Sequence, residues 1–327
     1  MSAAAADLEG VWRVAVLGAG TIGTSWTALF LAAGLKVSIY DPAEGTEARV
    51  REFVARSWPA LQRLGRARTA APATPSFHAE PAAAVAGADW VQENGPESLE
   101  AKRALYAAME PGLAADAVVA SSTSGIMPSE LQAGRTGEAR YIVAHPFNPP
   151  HLIPLVELVG GRATAPAAID RAEAFYRGLG KVTIRVRREV PGHVVNRMQA
   201  ALYREAINLV LAGVADLADV DRGIAYGPGL RWAIMGPHAT HHLAGGKGGL
   251  RHLLGHIGPG LQRWMDDLDG LRITPDVIER LVAAHEASEP PSIEHLEAER
   301  DALLLALLET LQATRRQLAA QGEGRLA

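Results

Sequence analysis

The chain of 327 residues contains no cysteine, which excludes disulfide bonds, thiolate nucleophiles and cysteine-ligated metal ions. Lysine is also scarce, since four lysines stand against twenty-eight arginines, and aromatic residues make up only 5% of the chain. The most apolar runs, at positions 28–33 and 303–308, are far shorter than the ~20 residues that a membrane-spanning helix needs. Any chemistry must therefore use side chains other than thiols, and no insertion into a membrane is expected.

Neither sign of charge dominates the sequence. Its formal net charge is −4, with 21% charged and 48% hydrophobic residues, values typical of a globular protein rather than one that binds polyanions. The first ten residues hold two acids and no basic segment, so they do not resemble a secretory signal. We expect a cytoplasmic protein without a nucleic-acid or membrane partner, and its length favours two domains.

The first half of the chain alternates short apolar runs with helical patterns. An apolar run at 13–17, a helical pattern at 21–33 and a second run at 36–40 together predict a β-α-β unit. A helix bent by Pro59 is predicted at 46–64, followed by a loop at 69–75, and we call residues 46–75 the arm. Further strands are predicted at 89–92, 117–121, 141–144, 155–159 and 182–186. This alternation predicts a mostly parallel sheet with helices on both faces.

Strand signals stop after Pro191-Gly192. The remaining sequence shows helical periodicity interrupted by a glycine-rich stretch at 245–249, and 293–316 reads as one long amphipathic helix. We therefore expect two domains, an α/β domain over 1–190 and an all-helical domain over 191–327.

A glycine-rich turn follows the first predicted strand. Its pattern G-A-G-T-I-G has glycines where a tight turn and close approach of a pyrophosphate to a helix N-terminus require them. The pattern alone is weak, because a glycine-rich turn without a ligand has the same sequence. In its strand-turn-helix context it predicts a Rossmann-type doubly wound domain that binds a dinucleotide. The expected cofactor contacts are Gly18, Gly20, Thr21, Ile22 and Gly23.

Asp41 ends the second predicted strand. It lies 23 positions after Gly18, close to the ~20-residue offset at which a carboxylate binds the adenosine ribose hydroxyls. A carboxylate there would repel the 2′-phosphate of NADP, and positions 42–48 hold no arginine or lysine to neutralise it. The alternative is that Asp41 only caps the turn before Pro42. We expect NAD as the cofactor.

Four segments carry a resemblance that spans nearly the whole chain. They are SSTSG at 121–125, AHPFNP at 144–149, LVEL at 155–158 and PGHVVNR at 191–197. In this order they resemble the motifs of the L-3-hydroxyacyl-CoA dehydrogenase superfamily. IPLVE at 153–157 and GLRW at 229–232 resemble its branch of L-carnitine 3-dehydrogenases, L-gulonate 3-dehydrogenases and lambda-crystallins. The resemblance implies an NAD-dependent oxidoreductase that forms a homodimer through its C-terminal domain.

The resemblance also places Ser124, His145, Glu157 and Asn196 in the active site. Oxidising an alcohol requires a group that accepts the hydroxyl proton, and a neutral imidazole suits this near physiological pH, so His145 is the expected general base. Glu157 would fix the tautomer of the imidazole and stabilise the imidazolium. Ser124 and Asn196 would hydrogen-bond the reacting oxygen, and the site would straddle the two domains.

Each of these four residues also has a structural alternative. His145 could be a structural histidine, and Glu157 a satisfied ion in the core. Ser124 could end a strand and Asn196 could cap a helix, which are ordinary roles for these side chains. Their joint occurrence in the order of the family favours the catalytic interpretation.

Glu97 and Lys102 match family positions near the nicotinamide end of NAD. The alternative is a helical Glu/Lys pair in solvent, which is a common feature. His238, His241 and His242 are close in sequence but lack a nearby paired carboxylate, so they are expected to be structural or to line a pocket, and no metal site is expected.

Three functions remain open at this stage. The first is oxidation of the 3-hydroxyl of a small L-3-hydroxy acid, carnitine-like or gulonate-like, to the 3-oxo acid. The second is an L-3-hydroxyacyl-CoA dehydrogenase, whose CoA phosphates would need cations. The arm offers Arg49, Arg51, Arg56, Arg63, Arg66 and Arg68, which equally fit a solvated helix face. The third, of a different class, is a catalytically silent NAD-binding protein like the lens crystallins.

Substrate contacts are expected at Phe147, Arg231 and Trp232. Arg231 would bind a carboxylate, with Arg197 as the alternative. A quaternary ammonium would call for a cage of aromatic faces, which Phe147 and Trp232 could form with Tyr226 and Trp264. The competing interpretation is that these aromatic rings fill the core of the helical domain.

Overall fold

The computed structural model describes residues 8, 10–268 and 270–321. The expectation for the first ten residues lies almost entirely outside this described part. Contacts divide the chain into two compact units. Unit 1 comprises the described residues up to Arg197 together with Leu303–Glu309, and unit 2 comprises those of Met198–Ala302 and those from Thr310 onward.

Unit 1 is built on one eight-stranded sheet with the strand order β3-β2-β1-β4-β5-β6-β7-β8. All neighbouring strands are parallel except β6 and β7, which pair antiparallel. The order reverses between β1 and β4, the switch point at which doubly wound sheets bind ligands. The strands are β1 (Arg13–Leu17), β2 (Lys36–Tyr40), β3 (Ser76–His78), β4 (Trp90–Glu93), β5 (Val118–Ser121), β6 (Tyr141–Pro146), β7 (Leu155–Gly160) and β8 (Val182–Val186).

Helices cover both faces of this sheet. They are α1 (Thr21–Ala32), α2 (Thr46–Arg63), α3 (Pro81–Val85), α4 (Leu99–Met109), α5 (Pro128–Gln132) and α6 (Pro166–Gly178). Alternate residues of β1 enter different clusters, because successive side chains of a strand point to opposite faces. Val16 packs with Trp26 of α1 and Phe175 of α6, whereas Leu17 packs with Tyr106 of α4. The predicted Rossmann-type architecture is thereby confirmed.

Most predicted strands agree with the structure to within one or two residues at their ends. The helix predicted at 46–64 is α2, which ends at Arg63 and contains Pro59, and the loop at 69–75 has no regular structure. Strand β3 was not predicted, because three residues are too few for a period-two pattern.

The chain is helical after β8, as predicted, and the described residues contain no strand beyond Val186. The helices are α7 (Val195–Leu211), α8 (Leu217–Ala225), α9 (Pro228–Trp232), α10 (Pro237–Ala244), α11 (Gly249–Asp267), α12 (Pro275–Ala287) and α13 (Ile293–Ala320). The boundary expected near 190 remains a prediction, while contacts group the chain up to Arg197 with unit 1. Within the described ranges, none of the helices combines the length and the hydropathy that crossing a membrane would require.

The aromatic residues of unit 2 do not form a core. Tyr226 is 80% exposed, Trp264 is 68% exposed and Trp232 is 40% exposed. The interpretation that these rings fill the interior of the helical domain is therefore wrong for the single chain. Arg231 and Trp232 lie at the end of α9, where both side chains face solvent.

Candidate active site

His145 and Glu157 form a hydrogen-bonded pair at the centre of the candidate site. They are directly opposite residues of the antiparallel strands β6 and β7, so their side chains emerge side by side on one face of the sheet. His145 Nδ1 lies 2.8 Å from Glu157 Oε2. The histidine is 4% exposed and the glutamate is fully buried. The sheet register therefore brings together the two residues that the motifs single out.

The second oxygen of Glu157 is held by backbone amides. Oε1 accepts hydrogen bonds from the N–H groups of Val194 and Val195, each at 3.0 Å. Burial acts to raise the pKa of Glu157, but the hydrogen bonds from His145, Val195 and Val194, with the charge of His145, lower the pKa below its ordinary value. Glu157 is thus a fixed carboxylate whose Oε2 is directed at the imidazole.

Asn196 and Ser124 lie next to the other imidazole nitrogen. Asn196 Nδ2 donates to the backbone carbonyl of Ser124 at 3.2 Å and lies 3.5 Å from His145 Nε2. Ser124 is exposed. Contacts group Asn196 with unit 1, while its expected place in the helical domain stays a prediction. All four predicted catalytic residues therefore lie in unit 1.

Glu97 holds the turn that carries Ser124. Its Oε1 accepts hydrogen bonds from Thr123 Oγ1 at 2.6 Å, from Ser124 N at 2.9 Å and from Gly125 N at 3.0 Å. These bonds fix the backbone of residues 123–125 at the carboxyl end of β5. Glu97 thus contacts a predicted catalytic residue, a contact that the sequence did not indicate.

Lys102 is buried rather than solvated. It is 1% exposed, and its Nζ donates to Glu93 Oε1 at 2.7 Å and to the carbonyl of Gly95 at 3.0 Å. Glu93, at the end of β4, is fully buried, and its Oε2 accepts from Tyr106 and Ser121. The alternative of a solvent-exposed pair with Glu97 is therefore wrong. Glu93 was not singled out in the sequence, although an acid that ends an apolar strand was a usable signal.

The glycine-rich turn has the shape that a dinucleotide requires. Gly18 has a φ of +86°, and a Cβ there would lie 2.8 Å from the carbonyl oxygen of Asn94. A Cβ at Gly23 would lie 1.9 Å from the carbonyl oxygen of Gly18, so only glycine allows α1 to pack this closely against the turn. Gly20 precedes α1 and has open space around it, so a pyrophosphate can reach the free N–H groups of the first helical turn. The residues of this turn, including Thr21 and Ile22, fit NAD.

Asp41, directly after β2, supports the glycine-rich turn. Its Oδ2 accepts from Ala19 N at 2.6 Å, and its Oδ1 accepts from Ala43 N at 2.8 Å. The turn-capping alternative is therefore correct in part. Thr46 Oγ1 also donates to Oδ1 at 3.3 Å, and since a carboxylate has about four acceptor positions, Asp41 can still receive one ribose hydroxyl.

His193 is a site residue that sequence reasoning missed. It is fully buried, with its ring centroid 5.5 Å from that of His145 and its Nε2 3.4 Å from the Thr123 carbonyl oxygen. Phe147, which was predicted, also lies here, with its ring 4.8 Å from the imidazole of His145. Arg231 and Trp232 belong to unit 2. Among the described residues, no three acidic or histidine side chains are grouped to hold a metal ion.

The chain is similar to known proteins along most of its length. The family model for the NAD binding domain of 3-hydroxyacyl-CoA dehydrogenases matches residues 13–190, and the model for the C-terminal domain of that family matches residues 192–291. The L-carnitine dehydrogenase of Streptomyces griseus subsp. griseus is 45% identical over 309 residues, which cover 94% of this chain and 91% of that protein. The L-carnitine dehydrogenase of Bacillus cereus is 42% identical, covering 92% of each chain.

One solved structure extends the comparison to the fold of the whole chain. The crystal structure of 5-formyl-3-hydroxy-2-methylpyridine 4-carboxylic acid 5-dehydrogenase, an NAD+-dependent dismutase, matches with a TM-score of 0.80 and 32% identity. The match covers 92% of this chain and 99% of that chain. Both family models match in order, and relatives above 40% identity align over nearly the full length. The chain therefore belongs to the 3-hydroxyacyl-CoA dehydrogenase family and is an NAD-dependent oxidoreductase.

Proposed function

We propose that this enzyme oxidises the 3-hydroxyl group of a free L-3-hydroxy acid, with L-carnitine as the preferred substrate. The observation that carries the proposal is the buried His145–Glu157 pair with Nε2 of the imidazole turned toward Asn196. The relatives named L-carnitine dehydrogenase, at 42–45% identity over more than nine-tenths of the chain, support the choice of substrate.

The proposed chemistry uses His145 as the general base. Glu157 Oε2 accepts a hydrogen bond from Nδ1–H, which leaves the lone pair on Nε2 free to take the proton of the substrate hydroxyl. The carboxylate then stabilises the imidazolium that forms. NAD, held by the glycine-rich turn after β1, would supply the acceptor for the hydride that leaves the third carbon. Asn196 Nδ2 and the Ser124 hydroxyl would donate hydrogen bonds that orient the reacting oxygen.

The arginines of the arm favour a free acid over a CoA thioester. Arg63 makes a bidentate pair with Glu309 at 2.7 and 2.9 Å. Arg66 donates to the carbonyl of His151 at 2.5 Å, and Arg51 pairs with Glu47 at 2.6 Å. These guanidinium groups already have acceptors, so binding CoA phosphates would require breaking those bonds. We therefore rank the thioester second.

The substrate proposal predicts an order of rates. With NAD in excess, we expect kcat/KM for L-carnitine to exceed the values for L-gulonate, L-3-hydroxybutyrate and L-3-hydroxybutyryl-CoA by at least about tenfold, a factor within reach of one binding contact. NADH absorbance measures all four under equal conditions, and D-carnitine controls for the configuration of the third carbon. A higher kcat/KM for the CoA thioester would replace the proposed substrate class with the second one.

We infer a preference for NAD over NADP from the charge of Asp41. Asp41→Asn keeps an acceptor for Ala19 N but removes the charge, so kcat/KM with NADP relative to NAD should rise about tenfold, equivalent to ~1.4 kcal/mol of lost repulsion. Glu44→Gln is the matched control, because Glu44 is an exposed acid of the same turn. The inference fails if the cofactor ratio of Asp41→Asn equals that of the unaltered enzyme.

Substrate contacts outside the catalytic pair remain proposals. Phe147, beside His145, would offer an aromatic face to the quaternary ammonium of carnitine, and Arg231 and Trp232 would bind its carboxylate and ammonium groups. Loss of affinity for L-carnitine but not for NAD in Phe147→Ala would support the first of these contacts. Unchanged affinity for both would remove it.

We also propose that the enzyme is a cytoplasmic homodimer formed through unit 2. Unit 2 exposes large apolar side chains, among them Leu230 at 60% and Leu243 at 63%, which a second copy would cover. Sedimentation as a monomer at micromolar concentration would contradict the dimer, and cell fractionation tests the location.

A further inference from the structure

His193 has an unusual backbone for a large buried residue. Among the described residues, only His193 and Glu289 are non-glycine residues with positive φ, at +50° and +49°. Glu289 is exposed, whereas His193 is fully buried. Left-handed backbone is unfavourable for most side chains and persists where the surroundings impose it, often at functional sites. The left-handed backbone of His193 is therefore expected to be held by contacts with neighbouring residues.

The left-handed turn at His193 directs two amides at Glu157. The His193 N–H closes a turn on the carbonyl of Val190 at 3.0 Å, and Gly192 within this turn is also left-handed, with a φ of +72°. Helix α7 begins two residues after His193, at Val195. Within this geometry the N–H groups of Val194 and Val195 both reach Glu157 Oε1. Because Oε1 is occupied in this way, Oε2 is the oxygen that meets His145 Nδ1.

The ring of His193 fastens this turn to a second one. Its Nε2 lies 3.4 Å from the Thr123 carbonyl oxygen, which can only accept, so Nε2 carries the proton. Thr123 is also bound by Glu97, in the turn that carries Ser124. Burial, followed by the charge of His145, lowers the pKa of His193, against smaller opposing effects of the Thr123 carbonyl, Glu157 and Glu97.

We propose that His193 is a positioning residue whose left-handed backbone fixes Glu157, while its ring adds a weaker contact, at 3.4 Å, between that turn and the Thr123–Gly125 turn. The proposal rests on the proposed roles of His145 and Glu157 and adds a residue that acts through them. The neutral form of the ring suits this position, because a second imidazolium 5.5 Å away would oppose the charge that His145 acquires.

Substitutions at position 193 separate the turn from the ring. Glycine and asparagine adopt left-handed backbone readily, whereas the β-branched valine does not. We expect His193→Val to lower kcat about 100-fold, the effect of displacing a reacting group by about 1 Å. The acid limb of its kcat/KM profile should move to lower pH, since a displaced carboxylate stabilises the imidazolium less. His193→Asn and His193→Gly should stay within about tenfold of the original kcat and keep the acid limb.

Two further measurements keep the result interpretable. Glu289→Val places the same backbone strain at an exposed residue of unit 2, so it should lower the melting temperature without changing kcat or the acid limb. NAD affinity, measured by quenching of protein fluorescence, should be unchanged in every variant at position 193, which shows that the cofactor turn is intact.

The proposal is overturned if His193→Val keeps the original kcat and acid limb. It is equally overturned if His193→Gly and His193→Asn bind NAD but lose kcat about 100-fold, an outcome that remains decisive even where the valine variant does not fold. His145→Gln, measured in parallel, distinguishes a failure of the base from a failure of the turn at His193. If it abolishes turnover while His193→Val does not, the proposed function stands and only the role of His193 fails.

Discussion

His145→Gln should lower kcat at least about 100-fold, because general base catalysis typically contributes 10²–10⁴ to a rate. Glutamine approximates the size of the imidazole and can still hydrogen-bond Glu157, but it cannot accept the hydroxyl proton. The loss should therefore appear in kcat for L-carnitine oxidation, measured by NADH absorbance. NAD affinity should change little, since His145 lies on β6 and the glycine-rich turn follows β1.

The control for this variant is a second buried histidine of unit 1. His151 is 3% exposed and contacts Ser25, so His151→Gln also removes a buried imidazole but leaves the β6–β7 pair untouched. We expect a lower melting temperature and nearly unchanged kcat. If His145→Gln and His151→Gln turn over substrate equally well, position 145 does not supply the base.

Lys102→Met should destabilise the protein by about 3–5 kcal/mol, because it leaves the Glu93 carboxylate buried without its cation. Both members of this pair are almost inaccessible to water, so solvent cannot compensate for the lost ammonium. The free energy of unfolding in urea measures the effect. The melting temperature should fall in parallel.

Two variants isolate the cause of this destabilisation. Lys36→Met removes an exposed lysine and should change the free energy of unfolding by less than ~0.5 kcal/mol. The double variant Lys102→Met/Glu93→Gln should recover much of the loss, because the remaining amide carries no charge. Equal losses in the single and double variants would refute the ion-pair argument. NAD affinity of Lys102→Met, measured well below its melting temperature, tests the separate expectation that Lys102 lies near the nicotinamide.

The features that sequence reasoning recovered are local or periodic. Continuous apolar runs mark parallel strands that are buried on both faces, and the glycine spacing identifies the turn after β1. The pair of His145 and Glu157 could also be predicted, because both residues lie in motifs. In the structure, the antiparallel register places them opposite one another. The contacts of this pair with residues outside the motifs could not be predicted from the sequence.

The features that sequence reasoning missed depend on backbone geometry or on contacts between distant segments. The sequence Pro191-Gly192-His193 does not predict a left-handed backbone at His193, because the packing around the residue imposes this conformation. The burial of Lys102 follows from the position of Glu93 on another element, which a helical charge pattern does not report. Arg63 and Glu309 are 246 positions apart, so no local sequence pattern predicts that this arginine of the arm is paired.

Leu303–Glu309 packs with unit 1, although it follows most of unit 2 in the sequence, and this order affects how the chain folds during synthesis. Leu305 of this segment is buried against Leu64 and Leu152, so the cofactor-binding half acquires part of its own core from residues that follow the whole of Met198–Ala302 in the chain. Domains usually fold as units while the chain is still emerging. Here the nascent cofactor-binding half has an uncovered apolar patch until Leu303–Glu309 has been synthesised, and a fragment cut at the boundary between the two family models would keep that patch permanently.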